Sequence, residues 1–237
     1  MQNLKHSPTK ILVSGNSGSG KSTFAEAVIV NSPHTYKFIF DQEGEWQLRL
    51  GFAPAHDADG LIRQLEQGWV IFDPWTMFPD DDGADNGLDR AFDWFCDWCF
   101  TIKEAINKEA YDNGQPFPTA LFFCDEVQNL VETHQVPRGL RAILERGRRQ
   151  GIDTLLVTQQ PNVIHNRTRH QITEIVAFSQ VDKNAVEFLE DCGFDGDDVR
   201  SLPCGSWRLL NLRGQQYQWG RITWRPPAVV IEGEKSP

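Results

Sequence analysis

The sequence has no apolar run approaching the ~20 residues that a membrane-spanning helix requires, so no membrane span is expected. Cysteine is scarce: five residues, an odd number, exclude a fully paired disulfide framework and fit reduced thiols inside a cell. Only Cys96 and Cys99 stand at a metal-ligand spacing. No second pair answers them, so a zinc site competes there with plain buried thiols. Internal repeats are missing, which excludes solenoids and arrays. Met1 to Lys10 is polar and lacks the apolar segment of a secretion signal, so the expected address is intracellular. Positive charge is also in deficit. With 23 Lys and Arg against 33 Asp and Glu, the net charge of −10 argues against a protein that coats nucleic acid through its overall charge.

What is present suits one globular unit. The 237 residues, 40% hydrophobic and 24% charged, can bury a substantial core in one large α/β domain but not in two. The chain is organised around Gly15-Asn16-Ser17-Gly18-Ser19-Gly20-Lys21-Ser22, followed by Thr23, which reads G-x-x-x-x-G-K-[ST]. An apolar run, Ile11-Leu12-Val13, precedes it as a buried strand would, and Thr23 to Ile29 follows with helical character. The glycines let successive backbone N–H groups turn toward phosphate oxygens, and the helix adds the positive end of its dipole. On this reading ATP is the ligand, Lys21 reaches the β- and γ-phosphates, and the Ser22 hydroxyl ligates Mg²⁺. The alternative, a glycine–serine turn with a chance lysine, accounts for neither the strand nor the helix.

Further along, Tyr36 to Phe40 reads as a strand. It ends in the acidic turn Asp41-Gln42-Glu43-Gly44-Glu45-Trp46, at the carboxyl edge where open parallel sheets place ligands. Residues 51–60 read as loop, 61–65 as a short helix, and Trp69 to Asp73 as a strand stopped by Pro74. The acidic stretch 79–87 reads as a solvated loop, with metal binding as its alternative. From Leu88 to Ala110, Phe92, Phe95, Trp98, Cys99, Ile102, Ala105 and Ile106 recur at helical spacing and predict a core-facing stripe.

Ala120-Leu121-Phe122-Phe123-Cys124 has the continuous apolarity of a central parallel strand and ends in Asp125-Glu126. Asp125 would hold Mg²⁺ and Glu126 would polarise the water that attacks the γ-phosphate; a helix-terminal acid pair is the alternative. A helix from Pro137 to Gln150, ended by Gly151, leads to the strand Asp153 to Thr158. That strand closes on Gln159-Gln160-Pro161, where a glutamine can touch the γ-phosphate or the attacking water. The remainder reads as a strand (Glu174 to Gln180), a helix (Lys183 to Asp191), a helical turn near Asp198 to Leu202, and a hairpin. The hairpin joins Trp207 to Leu212 with Gln216 to Trp224 through Arg213-Gly214. Strand alternating with helix predicts a doubly wound parallel sheet.

The charge is unevenly spread. Between Thr133 and Thr173 seven arginines (Arg138, Arg141, Arg146, Arg148, Arg149, Arg167 and Arg169) face two acids, Glu145 and Asp153. Such a stretch can meet phosphate or form a solvated helix face.

These motifs in this order resemble the FtsK/HerA superfamily of DNA-pumping ATPases. The phosphate loop is followed by Phe40-Asp41-Gln42-Glu43-Gly44-Glu45, then by Asp125-Glu126. Glu145-Arg146-Gly147-Arg148-Arg149-Gln150-Gly151-Ile152-Asp153 and Thr158-Gln159-Gln160-Pro161 come last and carry most of the specificity. The resemblance covers about residues 10–224. It implies a single P-loop ATPase domain over 1–237, with a loose tail at 226–237. The implied fold is α/β, a RecA/ASCE-like P-loop NTPase with a central, mostly parallel sheet flanked by helices and a C-terminal β-hairpin. Carried over to matching positions, Arg148 is an arginine finger offered to the neighbouring subunit, with Arg146 and Arg149 as local rivals, and Gln159 is a sensor. Lys21 and Glu126 complete the catalytic set, with Glu45 the next candidate base. Arg148 precedes its strand whereas Gln159 follows it. A strand of about six residues spans roughly 20 Å, beyond an arginine's reach, so a neighbour's γ-phosphate is the expected target.

Within the superfamily the chain looks most like the genome-packaging ATPases of tailless, membrane-containing icosahedral viruses. That likeness implies double-stranded DNA as substrate and a homo-oligomeric ring, with a hexamer favoured. Arg167 and Arg169 are the expected DNA contacts, and capsid or portal-vertex proteins the expected neighbours, in the host cytoplasm or at a virion's packaging vertex. Zot-type phage assembly proteins are similar too. A nucleotide-dependent switch without DNA translocation shares the site. A small-molecule kinase shares the loop but needs an arginine lid over its acceptor, whereas these arginines lie between Asp125-Glu126 and the next strand.

Overall fold

Short apolar runs bounded by Gly, Pro and Asp become the strands, and the 3.6-residue patterns between them become the helices. The computed structural model describes residues 8–77, 86–131, 136–213 and 216–222. In chain order the first half comprises β1 (Lys10–Ser14), α1 (Lys21–Asn31), β2 (Tyr36–Phe40), α2 (Glu45–Leu50), α3 (Ala58–Leu65), β3 (Trp69–Phe72), α4 (Pro74–Met77) and α5 (Asn86–Asp112). The second half comprises β4 (Ala120–Cys124), α6 (Arg138–Gln150), β5 (Ile152–Thr158), α7 (Asn166–Arg169), β6 (Glu174–Ala177), α8 (Lys183–Cys192), α9 (Gly196–Ser201), β7 (Ser206–Asn211) and β8 (Gln216–Arg221).

The strands form one sheet in the order β3-β2-β4-β5-β1-β6-β7-β8. The six strands from β3 to β6 in this order run parallel, and β7 and β8 close the sheet as an antiparallel hairpin. β5 lies between β1 and β4, with Ser14 level with Thr158 and Cys124 level with Leu156. Three carboxyl ends therefore adjoin: the glycine loop after β1, Gln159 after β5 and Asp125-Glu126 after β4.

Side-chain alternation along β4 shows how the sheet is covered. Ala120, Phe122 and Cys124 join the larger core with Phe92, Phe95 and Cys96 of α5 and Leu140, Ile143 and Leu144 of α6. Leu121 and Phe123 face the other way, toward Ala25 and Ile29 of α1 and Trp46 of α2. Cys96 and Cys99 are fully buried in the larger core, and burial pushes both thiols well above their usual range.

The structure departs from the sequence reading in four places. The acidic turn after β2 continues as α2, bounded by Gly44 and Gly51 with φ of 68° and 70°. α3 starts within the expected loop because Asp57 caps it, its Oδ1 accepting from Gly60 N at 2.6 Å. On α5 the stripe holds through Ile102, with Phe92, Phe95 and Cys99 buried and Trp98 and Ile102 packed partly buried on the core, but Ala105 is exposed, and buried Lys103 and Asn107 take core positions instead. Hydrophobic periodicity cannot register a polar core, and α6 ends against this part of α5 with its terminal carbonyls unsatisfied within the helix. Arg169 turns inward rather than toward a ligand. Its Nε donates to Ile164 O at 2.6 Å, and its guanidinium lies 5.3 Å from the Phe188 ring centre. Residues 79–85 of the acidic stretch, Gly214 of the hairpin turn, Trp224 and the tail 226–237 lie outside the described residues.

Candidate active site

The glycine loop leaves β1 and enters α1 through backbone shapes that side chains would block. At Gly15 a Cβ would meet Phe178 Cβ at 2.6 Å and Ser19 Oγ at 2.7 Å; Gly20, with φ of 111°, is wedged against Gly205, Phe178 and Ile222. Neighbouring elements hold the loop from behind. Asn16 N donates to Ser179 O at 2.9 Å, and Gly205 N donates to Ser19 O at 2.9 Å. No side chain caps α1, and no acid occupies its first turn, so its leading N–H groups are available to an anion. Ser19 Oγ is buried with no hydrogen-bond partner. Lys21, 5% exposed, donates from Nζ to Asn16 O at 2.9 Å. Burial lowers its pKa, and the nearby Glu126 and Asp125 carboxylates oppose that shift.

A 680 Å³ cavity opens over this loop. Ser17, Gly18, Gly20, Lys21, Ser22 and Thr23 line it on one side, and Asp125, Glu126 and Gln159 on the other. Gly15, Asn16 and Ser19 belong to the loop but are not among the residues lining the cavity. Asp125 is pushed up to about 6, first by burial and then by the Glu126 charge, against Glu126 N, Lys21 and the Trp46 side chain, which favour its ionised form. Its Oδ1 accepts from Glu126 N at 2.9 Å.

Glu126 adopts a left-handed backbone, φ 46° and ψ 44°, that breaks the strand direction and starts the 3₁₀ turn Val127–Asn129. Gln128 thereby reaches back to donate to Glu126 Oε2, while Gln159 Nε2 donates to Oε1 at 2.6 Å. Both carboxylate oxygens are held by amides, one from each side. Gln159 is steadied in turn, its carbonyl accepting at 2.8 Å from Gln180 Nε2, which also reaches Ser14 Oγ.

The segment after β2 braces the same two acids. Gln42 Nε2 donates to Asp125 O at 2.8 Å and Trp75 Nε1 donates to Gln42 O at 2.7 Å. Buried Asp41 accepts from Gln47 N at 2.9 Å and ties down α2. Glu45 also lines the cavity, paired with Arg49 at 3.4 Å. Gln42 and Trp46 belong to the acidic turn expected at the ligand edge, but their own roles, and Gln128 and Gln180, were not read from the sequence. Gln180 had a signal like that of Gln159, a polar residue at a strand's carboxyl end, whereas the reach of the other three depends on packing.

Chemically the site can cradle a polyphosphate, neutralise it with Lys21 and orient a water at Glu126. The donor set also fits Mg²⁺: a hydroxyl at Ser22 and a half-buried carboxylate at Asp125 face one cavity, and a bound cation would offset the cost of ionising that carboxylate. When bound, the ion neutralises charge on the β- and γ-oxygens.

Arg148 lies elsewhere. It sits in the last turn of α6, and Ile152, which follows, is level with Ala120 at the amino edge of the sheet. The seven residues of β5 separate it from Gln159, about 23 Å at roughly 3.3 Å per residue. Of its rivals, Arg146 is engaged with Glu104 at 3.5 Å and lies 4.6 Å from the Phe100 ring centre. Arg148 and Arg149 are exposed and make no side-chain hydrogen bond or ion pair among the described residues.

Along α6, from its amino-terminal end, runs a groove lined by arginines and acids alike. Two adjoining cavities of 650 and 510 Å³ share Arg138, Arg141 and Arg167. Arg167 pairs with Glu145 at 2.5 Å, whereas Arg138 and Arg141 are exposed and without ion pairs among the described residues. No acid offsets them in the first turn of α6, where the helix dipole disfavours cations.

Neither a protein-family model nor a curated protein matches the sequence. Solved structures match in fold. The genome-packaging NTPase B204 of Sulfolobus turreted icosahedral virus 2, in complex with AMPPCP, superposes with a TM-score of 0.62 at 16% identity, over 90% of this chain and 97% of that one. VirB4 of Thermoanaerobacter pseudethanolicus gives 0.60 at 11%, over 95% and 92%. EssC (ATPases 2 and 3) of Geobacillus thermodenitrificans gives 0.53 at 13%, over 86% and 37%. The expected fold thus holds: α/β, with a central, mostly parallel sheet flanked by helices and a C-terminal hairpin, shared with these NTPase structures.

Proposed function

We propose that the protein is an Mg²⁺-dependent ATPase that translocates double-stranded DNA, of the genome-packaging kind, acting as a ring at a virion's packaging vertex. The observation that carries this reading is the Glu126 carboxylate held between Gln128 and Gln159 in the cavity of Lys21, Ser22 and Asp125. A carboxylate held this way can take a proton from a water while Lys21 and the metal meet the charge on the transferred phosphoryl group. The ring reading rests on Arg148, whose distance from its own cavity makes a neighbour's γ-phosphate the reachable target. B204, which shares the fold, is a genome-packaging NTPase.

DNA contact is assigned to Arg138, Arg141 and Arg167 in the groove along α6, where Arg138 and Arg141 are exposed, in place of the Arg167 and Arg169 pair. Asp89 and Asp93 line the first cavity and Asp97, Glu104 and Glu145 the second; Asp93 Oδ1 is already accepting from Gly139 N at 2.6 Å, and Glu104 and Glu145 are paired with Arg146 and Arg167. The test is ATP turnover with and without double-stranded DNA, together with DNA affinity across a salt series. DNA should stimulate turnover, and Arg138→Ala with Arg141→Ala should weaken binding equally for all sequences and lower the salt slope by about 2. Turnover indifferent to DNA, with no measurable DNA binding, would leave a nucleotide-dependent switch.

A further inference from the structure

The buried polar residues of α5 have no part in the cavity, yet they bear on the end of α6. Lys103 is fully buried and has no carboxylate partner among the described residues. Burial pulls its pKa down to about 8. An ammonium so placed costs stability, which hydrogen bonding offsets only in part. Its Nζ donates to Asn107 Oδ1 at 2.6 Å. Because Lys103 takes the amide oxygen, Asn107 must turn its NH₂ toward α6, where it donates to Gln150 O at 3.1 Å and Gln150 Oε1 at 2.7 Å. A Met or Leu at residue 103 would leave that amide free to flip.

The contacts enclose one helical turn. Gln150 Nε2 donates to Glu104 Oε1 at 3.2 Å, and Glu104 also pairs with Arg146. Between these anchors Gly147 is pressed against β5, where a Cβ would lie 3.3 Å from Ile152 Cβ. Residues 146, 147 and 150 are thus held, and Arg148 and Arg149 alone in this turn project without partners among the described residues.

The geometry points to Lys103 and Asn107 as positioning residues that set the direction in which Arg148 leaves the subunit, so that they act at a neighbour's active site and not at their own. This rests on the shared-site reading of Arg148 given above. Misplacing a catalytic group by about 1 Å can cost on the order of 10²-fold, so the fixation of this turn should be visible in turnover.

Mixed rings test it. Arg148→Ala and Lys21→Ala protein are combined; the first supplies an intact phosphate loop, the second an intact finger, and their mixture should recover turnover. Lys103→Met is then added to one partner at a time. On the Lys21→Ala subunit, which donates the finger, it should cut the recovered turnover about tenfold or more; on the Arg148→Ala subunit it should change it by less than about twofold. Asn107→Leu should show the same asymmetry, and thermal melting of both variants controls for folding. Equal loss on either partner would make the clamp merely structural and overturn this inference while leaving the shared site intact. A mixture that forms rings without recovering any turnover would overturn the shared-site reading itself, and this inference with it.

Discussion

Glu126 is the only non-glycine residue with positive φ among the described residues. The left-handed conformation costs an L side chain roughly 1–2 kcal/mol, because Cβ crowds the following carbonyl. Glu126→Ala keeps that cost and Glu126→Gly removes it. Glycine's extra freedom in the unfolded chain takes back about 0.4–1 kcal/mol. The glycine variant should therefore be the more stable of the two by roughly 0.5–1 kcal/mol, or about 1–4 °C in Tm for a chain of this size. At a residue with ordinary backbone the order reverses, with alanine above glycine. Both variants remove the carboxylate held by Gln128 and Gln159, so both should lose ~10²-fold or more in ATP turnover. Thermal unfolding followed by circular dichroism, with turnover measured on the same samples, reads both effects. If the alanine variant melts at or above the glycine variant, Glu126 is not left-handed, and the argument that strain aims its carboxylate fails. If either variant hydrolyses ATP normally, the base lies elsewhere, and Glu45 is the next residue to replace.

Lys21→Ala should abolish productive nucleotide binding, because the cation facing the β- and γ-phosphates is lost; near-normal affinity in a fluorescent-nucleotide titration would contradict the loop assignment. Asp125 makes Mg²⁺ binding pH-dependent. With its carboxyl at about 6, apparent Mg²⁺ affinity in the presence of nucleotide should fall about tenfold per pH unit below that point, and a flat titration between pH 5 and 7 would exclude Asp125 as the ligand. The same shift affects stability. The folded chain holds this proton more tightly than the unfolded chain, so stability falls as pH rises from the ordinary carboxylate range through about 6, and Asp125→Asn should flatten that part of the profile.

Where chemistry demands neighbours in the chain, the sequence alone was enough. Gly15 to Ser22 must be contiguous to wrap a phosphate, Asp125-Glu126 must end a buried strand, and Gln159 must follow another, so residue order revealed the loop, the strand alternation and the α/β class. What packing decides was hidden. Gln128 reaches Glu126 only because Glu126 is left-handed; Gln180 meets Gln159 only because β6 lies beside β1; Trp46 reaches Asp125 only because the acidic turn continues into α2. Nothing in the apolar stripe of α5 points to Lys103 and Asn107. They are buried because the last turn of α6 brings backbone carbonyls against them, and a polar group can sit in a core only where another element supplies its hydrogen-bond partner. Arg167 and Arg169 illustrate the same limit: two arginines of one helical turn, alike in sequence, of which the structure turns one into the chain and leaves the other facing the groove.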